Sequence, residues 1–237
     1  MTKNGSSNPS KAAGIVMIAF IASNLVGLLR QMIINRAFGT SADLDAYFAA
    51  FRVPDLIFHV IAGGALGSAF IPTFTALLTK NDQDSAWRLA SAMLNWVIIT
   101  STALAALAAG LSPWLTQRFL APGFSPEQIE LTASLMRIML LSTVVFGISG
   151  LLMAVHHSKH HFLSPALAPV LYNAGIIAGA ISLAPHWGIR GLAFGVLIGA
   201  GLHLGVQLPV LRKHQGRYHL NLGRNNASNR EVARLML

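Results

Sequence analysis

The sequence contains no cysteine, which excludes disulfide frameworks, thiolate metal sites and a cysteine nucleophile. A chain without thiols suits an oxidising or a reducing compartment equally. Charge is scarce as well. Only 11% of the 237 residues are charged, against roughly 25% in an average soluble domain. That shortage argues against an ordinary water-soluble enzyme. Acidic residues are the rarest: eight Asp and Glu stand against seventeen Lys and Arg, for a formal charge of +9. A basic balance points to nucleic acid or to an anionic membrane surface. Here the charges lie in short clusters between long apolar runs, so membrane lipids are the expected partner and nucleic acid is not.

What is abundant is apolar length. Crossing a hydrocarbon core of roughly 30 Å takes about 20 helical residues. Six stretches qualify, at 12–37, 45–78, 88–112, 128–156, 165–184 and 190–211. The expected class is therefore an all-α integral membrane protein with six transmembrane helices. Barrel strands alternate at period two and need only about 9–11 residues, unlike these continuous runs. The first stretch exceeds the ~7–15 residues of a signal-peptide core and has no small-x-small cleavage site after it, so it reads as a retained helix. The second is too long for one straight span. It contains Pro54, Gly63, Gly64 and Pro72, which predicts a bend, a break or a tilted helix.

The remaining segments follow from this partition. Residues 1–11 read as a disordered terminus, 12–212 as the membrane lobe, 213–229 as a basic loop and 230–237 as the start of a seventh helix. Lys3, Lys11, Lys80, Arg88, Lys159, Arg212, Lys213, Arg217, Arg224 and Arg230 fall on one side of the alternating loops, and Arg36, Arg118 and Arg190 on the other. By the positive-inside rule this places both ends of the six-helix unit in the cytoplasm.

Polar groups inside the spans are the informative exceptions, because a charge at mid-helix costs about 2.5–3.5 kcal/mol on insertion scales. In the first span Ser23, Gly27 and Arg30 share one face, with Asn24 and Gln31 on the adjoining side. Such a stripe lines a cavity, with Arg30 offering a permanent forked donor to a phosphate; interhelical bonding plus Arg snorkelling is the competing reading. The second span holds Asp45, Arg52, Asp55 and His59. Asp55 shares a face with His59 at four residues and with Arg52 at three, which reads as an internal ion-pair cluster beside Pro54. Asp45 sits at a helix start, where the dipole stabilises it, or serves as counter-ion to Arg30. Arg137 either faces a cavity or reaches the outer interface. Asn95, Asn173, His203 and Gln207 read as polar contacts between helices.

No catalytic constellation is present: no Ser-His-Asp set, no phosphate loop, no paired carboxylates in a soluble cleft. His156/His160 and His157/His161 have a spacing that binds zinc on a helix. No carboxylate or thiolate accompanies them, so the segment reads as a basic loop at headgroup level, and neither metal nor cofactor is expected.

Two strings are distinctive. One runs from Asp45 through Tyr47, Phe51, Arg52 and Pro54 to Asp55. The other runs from Ala62 through Gly63, Gly64 and Gly67 to Pro72. They resemble the second helix of the MurJ/MviN family, the lipid II flippases of bacterial peptidoglycan synthesis. Gly27 with Arg30, Ala121 to Phe124, Pro165 to Pro169 with Asn173, Gly191 to Gly195, and Gln207 with Pro209 match in the right order. The resemblance covers nearly the whole chain from residue 12 onward.

The resemblance implies one six-helix lobe of an exporter fold in the multidrug/oligosaccharidyl-lipid/polysaccharide superfamily, lacking its C-terminal lobe. The implied substrate is an undecaprenyl-pyrophosphate-linked glycopeptide, lipid II, moved across the bacterial inner membrane by alternating access. An unidentified coupling ion is the only small partner left open. Arg30 matches a cavity arginine of the family and Asp45 an acidic residue of its second helix. The sequence departs from the pattern elsewhere. Asn24 and Phe58 stand where many members have arginines, Gln31 replaces a frequent Asp, and Gly63 a frequent Glu. Arg52 or the missing lobe is the candidate to compensate. Two other readings stay open: an exporter of another lipid-linked oligosaccharide or of drugs and cations, and a non-transporting scaffold of half length.

Overall fold

The computed structural model describes residues 9–65, 70–213 and 217–221. All regular structure among them is helical. The helices are α1 (Pro9–Phe38), α2 (Ala42–Ala65), α3 (Ile71–Thr79), α4 (Gln83–Gly110), α5 (Ser112–Leu115), α6 (Pro126–Ser158), α7 (Leu163–Ala178), α8 (Ala184–Trp187), α9 (Ile189–Gly205) and α10 (Leu208–Lys213). Single π-helical turns follow α5 (Thr116–Leu120) and α7 (Gly179–Leu183).

Five stretches are long and apolar enough to cross a membrane: Val16–Phe38, Gln83–Gly110, Pro126–Ser158, Leu163–Trp187 and Ile189–Arg212. They match five of the six spans read from sequence. The sixth, α2, is 24 residues long, about 36 Å at 1.5 Å per residue, but carries Asp43, Asp45, Arg52 and Asp55.

Four boundaries differ from the sequence reading. First, α1 begins at Pro9, so residues 9–11 are helical and not part of a disordered terminus; proline suits a first helical turn because its missing N–H has no partner there. Second, the 45–78 stretch is two helices. Pro54 does not break it: α2 runs on through Pro54, Gly63 and Gly64 to Ala65, and α3 starts at Ile71 with Pro72 in its first turn. Third, the 190–211 stretch breaks between α9 and α10. Pro209 lacks the N–H that would bond the Gly205 carbonyl. Fourth, α10 runs to Lys213, the first residue of the expected 213–229 loop, in which 217–221 carry no regular secondary structure. The expected disordered residues 1–8, the rest of that loop and the expected seventh helix at 230–237 lie outside the described residues.

The helix ends are built from local chemistry. Gly39 takes φ +61° and its N–H reaches the Asn35 carbonyl at 2.8 Å, the left-handed cap that ends a helix without a Cβ clash. Asp82 Oδ1 accepts from the Ser85 N–H at 3.1 Å and caps α4. Ser125 and Gln128 form a reciprocal capping box at the start of α6 with Pro126 in the first position.

At 33 residues, α6 is about 50 Å long and forms the centre of the bundle, packed by α2, α4 and α9. α7 packs on α9, and α1 on α7. One apolar core joins Ile34, Tyr47, Ile57, Met136, Met139, Leu140, Ile176, Leu192 and Val196. A second, at the other end, joins Phe70, Phe74, Trp87, Leu89, Leu151 and Val155.

The α7–α9 contact is close because it is made of glycine. A Cβ on Gly175 would lie 2.4 Å from the Gly199 backbone, and one on Gly179 would lie 2.4 Å from Gly195 Cα. Small residues let helix backbones meet where lipid supplies no hydrophobic drive. α1 lies at the margin, with Met17, Ile18, Phe20, Ile21, Leu25, Leu28, Leu29 and Met32 exposed.

Candidate functional site

The site begins with Arg30, half-buried on the side of α1 that meets α7. Its Nη1 donates to Asn173 Oδ1 at 2.9 Å. Asn173 is buried and its Nδ2 donates to the Pro169 carbonyl at 3.1 Å, with the Ser23 carbonyl at 3.5 Å. The amide is thus held at both ends, and it fixes the guanidinium. Gly27 faces this amide: a Cβ there would sit 3.7 Å from Asn173 Nδ2, an ordinary contact distance.

The remaining Arg30 donors define what the site can do. Arg30 Nε is buried with no hydrogen-bond partner among the described residues. A guanidinium carries five N–H donors and is permanently charged. No Arg30–carboxylate pair exists within 4.0 Å among the described residues, whose ion pairs are Asp55–His59, Asp84–Arg88 and Asp84–His219. Asp45 thus makes no direct ion pair with Arg30; a neutral amide holds the guanidinium. Asp45 lies in the first turn of α2, where the helix dipole favours a negative charge.

The expected Arg52–Asp55 pair is corrected. Asp55 Oδ1 lies 3.6 Å from His59 Nδ1, and the same ring nitrogen lies 2.8 Å from the Asp55 carbonyl. Arg52 Nη1 instead donates to the Leu120 carbonyl at 3.4 Å. That carbonyl ends a π-turn, where backbone oxygens lack intrahelical partners and attract a cation.

Asp45, Arg52, Asp55 and His59 are all exposed. They follow one another at seven, three and four residues, which keeps them on one face of α2. Behind that face, Phe58 packs against Phe146, and Phe146 against Tyr172. Tyr172 precedes Asn173, which holds Arg30, and buried Tyr47 packs its ring against Phe48 and Phe51 of α2. Aromatic rings thus link α2 to the helix that fixes the α1 cation.

Other predicted members of the stripe are placed differently. Asn24 Nδ2 donates within α1 to the Phe20 carbonyl at 2.9 Å. Gln31 Nε2 donates to Asn35 Oδ1 at 3.0 Å. Neither is brought to Arg30; Ser23 joins the site through its backbone carbonyl. Gly63 and Gly64 belong to the end of α2. Arg137 Nε donates to the Ala109 carbonyl at 3.1 Å, at the end of α4. Sequence reasoning missed Tyr47 and Tyr172, for which no spacing signal exists. It read Asn173 as an interhelical contact without its partner, although polarity in an apolar run was the available signal.

The histidine segment does not continue as a helix. α6 stops at Ser158 and His160 turns to φ +55°, so the i,i+4 spacing is not realised. His156 is buried with Nε2 3.2 Å from the Gln207 carbonyl, not in a headgroup-level loop. No cluster of three His, Asp or Glu suited to a metal exists among the described residues. Beside His156, Gln207 Nε2 donates to Ser149 Oγ and, at 2.9 Å, to the His203 carbonyl, and Ser149 Oγ lies 2.7 Å from His203 Nδ1. These bonds give partners to the His203 and Gln207 carbonyls at the α9–α10 break.

A cation fixed between spanning helices, beside a charged helix face, is the setting in which comparison with known proteins becomes specific. The family model described as lipid II flippase MurJ matches residues 34–237. The chain belongs to the lipid II flippase MurJ family. A lipid II flippase MurJ from Burkholderia cenocepacia is 32% identical over 196 residues, covering 81% of this chain and 38% of the relative. A probable lipid II flippase MurJ from a Synechocystis species is 28% identical over 255 residues, covering the whole chain and 47% of the relative. The chain thus spans less than half the length of these curated relatives. Among solved structures, a lipid II flippase MurJ in an inward closed conformation superposes with a TM-score of 0.75 at 24% identity, over 93% of this chain and 46% of that one. A MATE transporter superposes at 0.74 with 16% identity, over 100% and 55%. These likenesses show the fold: a membrane-embedded helical unit shared by MurJ and MATE transporters. The family is one of transporters.

Proposed function

We propose that this chain is the first lobe of a bacterial inner-membrane flippase for an undecaprenyl-pyrophosphate-linked glycopeptide, lipid II. It works by alternating access against a second lobe, and its N-terminus lies in the cytoplasm. The observation that carries the reading is Arg30. One N–H is tied to Asn173, the residue is only half-buried, and no ion pair among the described residues neutralises it, which suits a pre-oriented cation that receives an anion. Charged groups hydrogen-bond to phosphate oxygens more strongly than neutral ones do.

The exposed charges of α2 support a wet cavity. Asp55 and His59 side chains are 52% and 69% exposed. Facing them into hydrocarbon would cost about 2.5–3.5 kcal/mol for the carboxylate alone. The same face turned toward a hydrated cleft between two lobes costs little. In this reading the hydrophilic headgroup enters the cleft, Arg30 contacts the pyrophosphate, and the polyprenyl tail stays in lipid. Rocking of one bundle against the other then exposes the headgroup on the opposite side. No covalent step is required.

The test uses the full-length gene in a bacterium depleted of its own flippase. Wild type is expected to restore growth and outer-face lipid II. Arg30→Ala at equal expression is expected to lose most of that exposure; unchanged exposure removes Arg30 from the mechanism.

A further inference from the structure

The segment after α10 explains polar residues on α4 that transport does not use. Residues 217–221 carry no regular secondary structure, yet one face of α4 holds them. The His219 N–H donates to Ser91 Oγ at 3.0 Å, and Ser91 Oγ lies 3.5 Å from the Arg217 carbonyl. Tyr218 Oη donates to Asn95 Oδ1 at 2.8 Å, while Asn95 Nδ2 donates to the Asn221 carbonyl at 2.8 Å. His219 Nε2 lies 3.7 Å from Asp84 Oδ1, and Arg88 Nε donates to Asp84 Oδ2 at 2.7 Å. Asp84, Ser91 and Asn95 are seven and four residues apart, a single helix face.

Both ends of the Asn95 amide are occupied by this segment, and buried Ser91 sits between its peptide groups. At 28 residues, α4 is about 42 Å long and outruns a core of roughly 30 Å. Ser91 and Asn95 follow Gln83 by eight and twelve residues, roughly 12 and 18 Å along the axis, so Asn95 lies within the span and not beyond its end. Non-helical backbone at such a depth must bond to protein or water, and α4 supplies those bonds. Leu220, whose side chain takes no part, is 89% exposed.

We propose that Arg217–Asn221 is a strap and that Asp84, Ser91 and Asn95 form its docking groove. The strap ties the chain leaving the last helix to α4, so the following polypeptide departs from the α4 side of the unit rather than swinging from α10. The device is independent of the substrate.

Two measurements on purified protein in mild detergent test it. The sequence has no cysteine, so an introduced pair is unambiguous. Ser91→Cys with His219→Cys is expected to close on mild oxidation, losing maleimide labelling that reductant restores. Ser91→Cys with Leu220→Cys is expected to stay labelled. Separately, trypsin cleavage after Arg217 is expected to be at least roughly tenfold faster in S91A/N95A than in wild type, since at least two hydrogen bonds are lost. Equal labelling of the two pairs after oxidation, or equal cleavage of wild type and S91A/N95A, overturns the strap.

Discussion

Replacing Gly175 by alanine tests the helix contact on which the site's geometry rests. The new Cβ would lie 2.4 Å from both Gly199 Cα and Gly199 N, and 3.1 Å from the Ile198 carbonyl carbon. Carbon atoms in ordinary contact sit about 3.5–4.0 Å apart, so α7 and α9 must separate by roughly 1–1.5 Å. No flexible side chain can yield, because every neighbour named is backbone. Overpacking of this kind costs about 1–3 kcal/mol. At about 2–4 °C per kcal/mol for a chain of this size, the midpoint falls by about 2–12 °C. The control lies on α9 itself. A Cβ on Gly201 would meet nothing within 4 Å, and alanine there gains up to about 1 kcal/mol of helix propensity. Thermal unfolding in detergent is the assay, with tryptophan fluorescence as the signal. G175A falling and G201A holding or rising is the expected pair of results. Equal midpoints would refute the close-contact argument.

Three further outcomes follow from the same geometry. Asn173→Ala should loosen α1 from α7, since it removes the groups that hold Arg30 and the Ser23 carbonyl; thiol labelling of a cysteine introduced at Ser23 should accelerate relative to the parent. Gln207→Ala should destabilise by about 1–3 kcal/mol, because Ser149 and the His203 carbonyl stay buried without their donor; chemical unfolding measures it. Asp82→Ala should destabilise at neutral pH. The Ser85 hydrogen bonds hold the Asp82 carboxyl below its usual range, so its contribution is present above the unfolded-state value and is lost as pH falls through the folded-state value. The difference between D82A and wild type should therefore shrink below about pH 4.

The spans were legible because apolar length is a strong signal. Arg30 was legible as a charge that hydrocarbon would reject. Its partner was not, since Asn173 lies 143 residues away and polarity alone names no contact. Spacing misled at Arg52: three residues from Asp55 permits a pair, but Arg52 reaches the Leu120 carbonyl, 68 residues away, while Asp55 takes the equally local four-residue spacing to His59. Pro54 misled likewise, because a long helix embedded among α6 and α9 tolerates one lost backbone bond. The strap was invisible, since its register depends on how α10 delivers residues 217–221 to α4.

The central claim is that Arg30 meets an anionic phosphate in a hydrated cleft. The most direct measurement is binding of undecaprenyl pyrophosphate by the full-length protein in nanodiscs, comparing wild type with Arg30→Ala at matched thermal stability. A charge-assisted hydrogen bond contributes about 1.5–3 kcal/mol, so the account predicts a Kd roughly 10- to 150-fold weaker. An unchanged Kd for the variant would contradict it.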